Sequence, residues 1–221
     1  MRDRARWGWP IPAVVALALS AGCTHLVDGT AVKAVPALAV GATEVGELVG
    51  AELANTTADV APPEPVTVDP KDCAVAAGPS TTAVYTPGWT QYHLVTMQEA
   101  ADYWDHSVTQ TAGKYPDEAA ARTVFDALVA GVRDCTGDTR ATATDALDES
   151  TSTWTFHFDG EPDQTAARWT AAQDGSHDWS CFREARLTGA WVVQSAVCQV
   201  GNGRPAATAL AEQVAANVAD R

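Results

Sequence analysis

Hydrophobic and polar positions follow several distinct patterns along this chain. The first opens with Arg2, Arg4 and Arg6, carries no charge from Trp7 to Gly22, and is apolar over residues 11–19. It closes on Leu19-Ser20-Ala21-Gly22-Cys23, small residues leading to a cysteine. Positive charge, a short apolar run and a small-residue exit, in that order, describe a secretory signal. A spanning helix needs about 20 apolar residues; this stretch is shorter and carries Pro10 and Pro12. We therefore read residues 1–22 as a lipoprotein signal, cleaved before Cys23, with a diacylglycerol thioether placed on Cys23. Two acyl chains, at about 0.8 kcal/mol per buried CH2, anchor stably where one does not. Residues 23–35 become a lipidated tether and residues 36–221 the folded part. An uncleaved anchor with an incidental cysteine is the alternative.

Beyond the tether the periodicity switches between 3.6 and 2. Val45, Leu48, Val49 and Leu53 share one face of a helix predicted over residues 43–53. Residues 55–72 hold Pro62, Pro63, Pro65 and Pro70 without periodicity and read as a loop. Residues 80–85, 91–97 and 104–114 have strand character, the last weakened at its end by Gly113. The strongest stripe is Ala121, Val124, Phe125, Leu128, Val129 and Val132, a helix over residues 117–133. Pro116 punctuates its start, and Asp117 and Glu118 suit its positive end. Residues 139–144, 152–158, 165–173, 179–187 and 191–200 then read as successive strands, divided by Asp159-Gly160, Asp174-Gly175 and Gly189. A last helix opens at Pro205, with Leu210, Val214 and Val218 four residues apart. Helices flanking hairpin-linked strands predict an α+β fold: an antiparallel sheet of about five to seven strands packed by helices, with two disulfides and a cleft.

Charge narrows the partners. The chain has 14 Lys+Arg against 28 Asp+Glu. Residues 1–22 hold three of those Arg and one of those Asp, so the mature chain keeps 11 basic and 27 acidic residues, net −16. Such a surface repels nucleic acid and anionic lipid headgroups, so neither a nucleic-acid partner nor a phosphate-binding role is expected. Four cysteines remain besides Cys23: Cys73, Cys135, Cys181 and Cys198. An even number in an exported chain reads as two disulfides. A two-residue turn at Gly189-Ala190 makes facing positions add up to 379, and Cys181 and Cys198 meet that condition. They face each other across neighbouring strands, which leaves Cys73 for Cys135. The thiols stand singly, without C-x2-C or H-x3-H spacing, so no metal or other cofactor is expected.

Catalytic patterns are sparse. The G-x-S-x-G elbow, the P-loop, the zincin motif and the dinucleotide fingerprint are all absent. Ser176-His177-Asp178 has triad residue types, but a triad is made by geometry and not by adjacency. His157, before Asp159, reads as a strand histidine. Among the aromatics, Trp89 follows Pro87-Gly88 and Trp104 precedes Asp105-His106; these two are the candidates for a ligand-binding surface.

Taken in order, these features resemble a known family. They are a leading helix, Cys73 after a proline-rich loop, and residues 119–135 ending in a cysteine. Trp179-Ser180-Cys181, the apolar Trp191-Val192-Val193 before Cys198, and a C-terminal helix follow. The pattern is similar to the PknH-like extracellular sensor domain, found beyond the membrane span of certain mycobacterial serine/threonine kinases and in free-standing lipoproteins. It covers roughly residues 36–221. The resemblance implies disulfides joining first to second and third to fourth cysteine, and an α/β sandwich whose cleft binds an unidentified signal. Where the family often has Trp before its second cysteine, this chain has Val132-Arg133-Asp134. No kinase glycine loop, catalytic Asp or magnesium motif is present, so kinase activity is not implied.

The expectation is a non-catalytic sensor or ligand-binding domain, held by lipid on the outer face of the cell membrane. Its partners would be the membrane, through the anchor, and a small ligand or an envelope protein. An envelope scaffold is the alternative, and a periplasmic hydrolase a further one.

Overall fold

The computed structural model describes residues 38–103, 105–137, 139–144, 150–219 and 221; Cys23, the signal, the tether and Trp104 lie outside the described residues. Nine strands form one antiparallel sheet. They are β1 (Asn55–Asp59), β2 (Thr67–Asp69), β3 (Gln91–Gln98), β4 (His106–Lys114), β5 (Arg140–Thr144), β6 (Thr151–Phe158), β7 (Ala166–Gln173), β8 (Trp179–Thr188) and β9 (Trp191–Val200). Their spatial order is β1-β3-β4-β9-β8-β7-β6-β5-β2. Helices α1 (Ala42–Val49) and α4 (Arg204–Ala219) cover one face over β3, β4, β9 and β8. On the other face lie α3 (Glu118–Asp134) and a short turn of helix, α2 (Ala74–Ala77), which follows a 3-10 turn at Lys71–Cys73.

Each face has its own core. Under α3, Phe125, Leu128, Tyr92, Phe156 and Trp169 are almost wholly covered. Under α1 and α4, Val95, Met97, Val108, Val193, Leu210 and Val214 are likewise covered. Each such aliphatic side chain contributes roughly 1.5–3 kcal/mol relative to exposure, so both faces are needed to hold a sheet this wide. The side-chain carboxylate of Asp117 caps α3, accepting the Ala120 N–H at 2.8 Å. Gly50, at φ +76°, ends α1 in the left-handed conformation.

The β8–β9 hairpin turns at Gly189-Ala190 with positive φ at Gly189 only, as a type II′ turn requires. Thr188 faces Trp191 and, in the same register, Cys181 faces Cys198. Two disulfides, Cys73–Cys135 and Cys181–Cys198, are formed. The first ties the residues before α2 to the end of α3; the second staples the two central strands.

The structure corrects the strand count and two segments. There are nine strands, not five to seven, because residues 55–72 hold the two edge strands β1 and β2. Asn55–Asp59 has no apolar alternation to signal it; backbone pairing to β3, from Asn55 opposite Gln98 to Asp59 opposite Leu94, makes the strand. Residues 80–85 are not a strand. Thr81 Oγ1 donates to Gly78 O at 2.6 Å and accepts the Ala83 N–H at 3.2 Å, and Tyr85 N–H returns to Thr81 O. These local bonds replace a ladder. Gly113 does not weaken β4: a Cβ there would lie 2.5 Å from the Tyr85 ring, so glycine makes room for that ring.

Candidate ligand pocket

Alternation along β8 sends Cys181, Arg183, Ala185 and Leu187 to the α3 face, and Phe182, Glu184 and Arg186 to the α4 face. Each face thus receives charge in mid-strand, and the two charges are handled differently.

Glu184, on the α4 side, is wholly covered. Its carboxylate accepts from Arg168 Nε at 2.8 Å, Arg168 Nη2 at 3.3 Å, Arg186 Nε at 2.7 Å and Thr208 Oγ1 at 2.7 Å. Arg186 goes on to Glu212 at 2.9 Å. The hydrogen bonds that Arg168 donates to Glu184 raise the pKa of its guanidinium above the ordinary value. Nearby, Arg204 binds Asp159, Thr170 Oγ1 and the carbonyls of Trp169 and Arg183. Every carboxylate lone pair has a use here, so this network locks α4 to β7 and β8.

Arg183, on the α3 side, has a different environment. Its Nη1 donates to Ala76 O and to Ala77 O, the carbonyls at the end of α2. Its Nε is covered and unpaired. Among the described residues no carboxylate lies within ion-pair distance of it. Burial alone pulls its pKa down to about 10, which leaves it positive at neutral pH.

Arg183 lines a pocket of about 400 Å3, together with Val66, Ala77, Ala143, Trp154, Phe156 and Gln173 among others. The size falls in the range of small-molecule sites. Trp154 donates its indole N–H to Ser152 Oγ at 2.7 Å, so its polar edge is satisfied. Gln173 sits opposite Trp154 in the β6–β7 register. Val66, 40% exposed, stands beside them. Ala77 is held in place through the segment behind it: Gln194 donates to Pro79 O at 2.8 Å, Tyr92 to Ser80 O, and Thr111 to Ser80 Oγ at 2.7 Å. Burial raises the Tyr85 and Tyr92 phenols above their ordinary value, keeping both as neutral donors in this cluster.

The chain enters the domain elsewhere. Gln110, buried on β4, accepts the Val40 N–H at 2.7 Å and donates to Val40 O at 3.0 Å. Asn217 of α4 donates to Leu38 O at 3.1 Å. This contact is on the α4 face over β3 and β4, whereas the pocket is on the α3 face over β5 and β6.

The residues singled out from sequence are dispersed. Trp89 packs against Tyr92, with ring centroids 6.1 Å apart, at the Lys114 end of β4, and does not line the pocket. Trp104 and Cys23 lie outside the described residues. Ser176, His177 and Asp178 form the β7–β8 turn; His177 and Asp178 have φ +50° and +68°, and the Ser176 hydroxyl donates to Gln173 O. His157 is exposed on β6, and His106 is bound to Glu99 at 2.6 Å. Among the described residues no group of three or more His, Cys, Asp or Glu is placed to hold a metal ion. Sequence reading missed Arg183 and Trp154. Its signal was available: a charged residue two places from Cys181 must share the inward face of β8.

A broad antiparallel sheet, helices on both faces and two disulfides define a disulfide-stapled α+β domain. The profile of the PknH-like extracellular domain matches residues 30–217, and the chain belongs to that family. Among solved structures, it is similar to the extracellular domain of PknH from Mycobacterium tuberculosis, at 26% identity and a TM-score of 0.70. That similarity covers 84% of this chain and 93% of the other. A search of curated proteins finds no match.

Proposed function

We propose that the chain is a lipid-anchored, non-catalytic sensor of the cell envelope, which binds a small molecule in the pocket between α2, β5, β6 and β8. The observation that carries this reading is the pocket itself. It combines apolar walls (Val66, Trp154, Phe156) with a few polar groups (Arg183, Gln173), the usual make-up of a ligand site. Membership in a family of extracellular domains supports an outward-facing position. The Arg-rich start, the apolar run and Gly22-Cys23 support export and lipidation. A lipid anchor crosses no membrane, so any signal must pass to a partner in the envelope.

The test is a thermal-shift screen of the full chain in detergent against envelope lipids, muropeptide fragments and polyamines. A ligand at 100 times its Kd stabilises by about 2.7 kcal/mol, or roughly 5–10 °C for a chain of this size. Trp154→Ala should abolish that shift. If no compound raises the melting temperature and a protein partner co-purifies instead, the ligand-binding reading is refuted and the scaffold reading takes its place.

A further inference from the structure

We infer that the pocket takes an anionic small molecule, an organic acid whose carboxylate or phosphate docks on Arg183 while its apolar body lies against Trp154 and Val66. This rests on the pocket being the ligand site proposed above, and goes further by naming the charge and shape of the ligand.

A guanidinium offers five N–H donors. Arg183 uses Nη1 on the two carbonyls of α2. The donors left over are Nε and Nη2, and Nη2 is the one that can receive an oxyanion from the pocket by a charge-assisted bond. Neither has a hydrogen-bond partner among the described residues, and Nε is covered. The other partly covered arginines behave differently: Arg168, Arg186 and Arg204 each hold a carboxylate. Among the described residues, the arginine that lines the pocket has no carboxylate within ion-pair distance. A half-buried cation given only carbonyl partners keeps a charge that an anion entering the pocket can pair. Among the described residues the pocket wall beside Arg183 consists of apolar residues, Ser, Thr and Gln. Trp154 has its N–H committed to Ser152, so its ring presents a surface suited to an apolar group.

Benzoate, phenyl phosphate and the neutral isostere benzamide are the probes, titrated into the full chain labelled with 15N in detergent micelles. The readouts are the Trp154 indole resonance and the Arg183 Nε–Hε resonance. At least one anion should bind about tenfold or more tightly than benzamide, as a charge-assisted hydrogen bond predicts, and should shift both resonances. Benzoate ahead of phenyl phosphate assigns a carboxylate; the reverse order assigns a phosphate. Arg183→Met should remove the preference while leaving benzamide binding in place. Should that variant not fold, the Nε–Hε shift in the unaltered chain decides. Equal binding of benzamide and both anions, with Nε–Hε unmoved, overturns the anion inference and leaves the pocket standing. No Trp154 shift with any of the three overturns the pocket as well.

Discussion

Replacing Glu184 by glutamine is the substitution with the most direct structural arithmetic. The carboxylate is fully covered and accepts four hydrogen bonds, two of them at 2.7 Å. Glutamine keeps the size, removes the charge, and turns an NH2 group toward donors from Arg168, Arg186 or Thr208. Removing one partner of a buried pair costs about 3–5 kcal/mol. Here the arginine side chains are 38% and 23% exposed, so water relieves part of their loss and the expected cost is about 2–4 kcal/mol. For a chain of this size that lowers the melting temperature by about 4–16 °C. Glu212→Gln removes a carboxylate that is 58% exposed, and should cost less than about 1 kcal/mol. The informative comparison is the triple replacement Arg168→Met, Glu184→Leu, Arg186→Met. It takes away Arg168, Glu184 and Arg186 together and leaves no buried ion unpaired, only the Thr208 hydroxyl without its acceptor and the exposed Glu212 without its arginine, so it should be more stable than Glu184→Gln alone. Urea denaturation followed by tryptophan fluorescence measures all three. A Glu184→Gln variant within about 1 kcal/mol of the parent, or a triple variant less stable than it, would refute the view that Glu184 holds α4 to the sheet.

Further outcomes are expected from other parts of the molecule. Serine at Cys73 and Cys135 opens a link between residues 62 apart and should cost about 4 kcal/mol; serine at Cys181 and Cys198, 17 apart, should cost about 3 kcal/mol, both read from denaturation midpoints. Gly113→Val drives a side chain into the Tyr85 ring and should destabilise by about 1–3 kcal/mol by the same assay. Burial lowers the pKa of His93, whose Nδ1 has no partner, so the folded chain keeps it neutral where the unfolded chain is already protonated. Its effect is therefore absent well above pH 6.5 and appears as a loss of stability while the pH falls from there toward the folded value; His93→Leu should flatten that part of the melting-temperature profile. Cys23→Ala should release the chain from membranes or leave it unprocessed, and unchanged retention with normal processing would exclude lipidation.

How much of this was legible in the sequence depends on where the determining forces act. The α3 stripe from Ala121 to Val132 was legible because its residues bury one face at helical spacing. The β8–β9 register was legible because a two-residue turn admits a single pairing. By contrast β1, Asn-Thr-Thr-Ala-Asp, exists through hydrogen bonds to β3 that leave no hydrophobic trace. Residues 80–85 look like a strand, yet the Thr81 hydroxyl closes a local turn that composition does not reveal. Of the pocket, the inward direction of Arg183 could be read from its spacing to Cys181. Its placement among Ala77, Val66 and Trp154 depends on those residues converging from distant parts of the chain. Trp89, chosen for its place after Pro87-Gly88, turned inward because Tyr92 offers it a ring to pack on.

The grip of Gln110 on Val40 has a mechanical consequence. Among the described residues, tension on the chain at Leu38 is met by a carboxamide on α4 and then by one on β4, a strand with neighbours on both sides, and not by a free edge. The two bonds to Val40 belong to one side chain and carry load together, with the Asn217 bond to Leu38 in front of them. A pull therefore shears a small clasp and does not unzip the sheet strand by strand. The pocket lies on the opposite face and several strands away from that clasp.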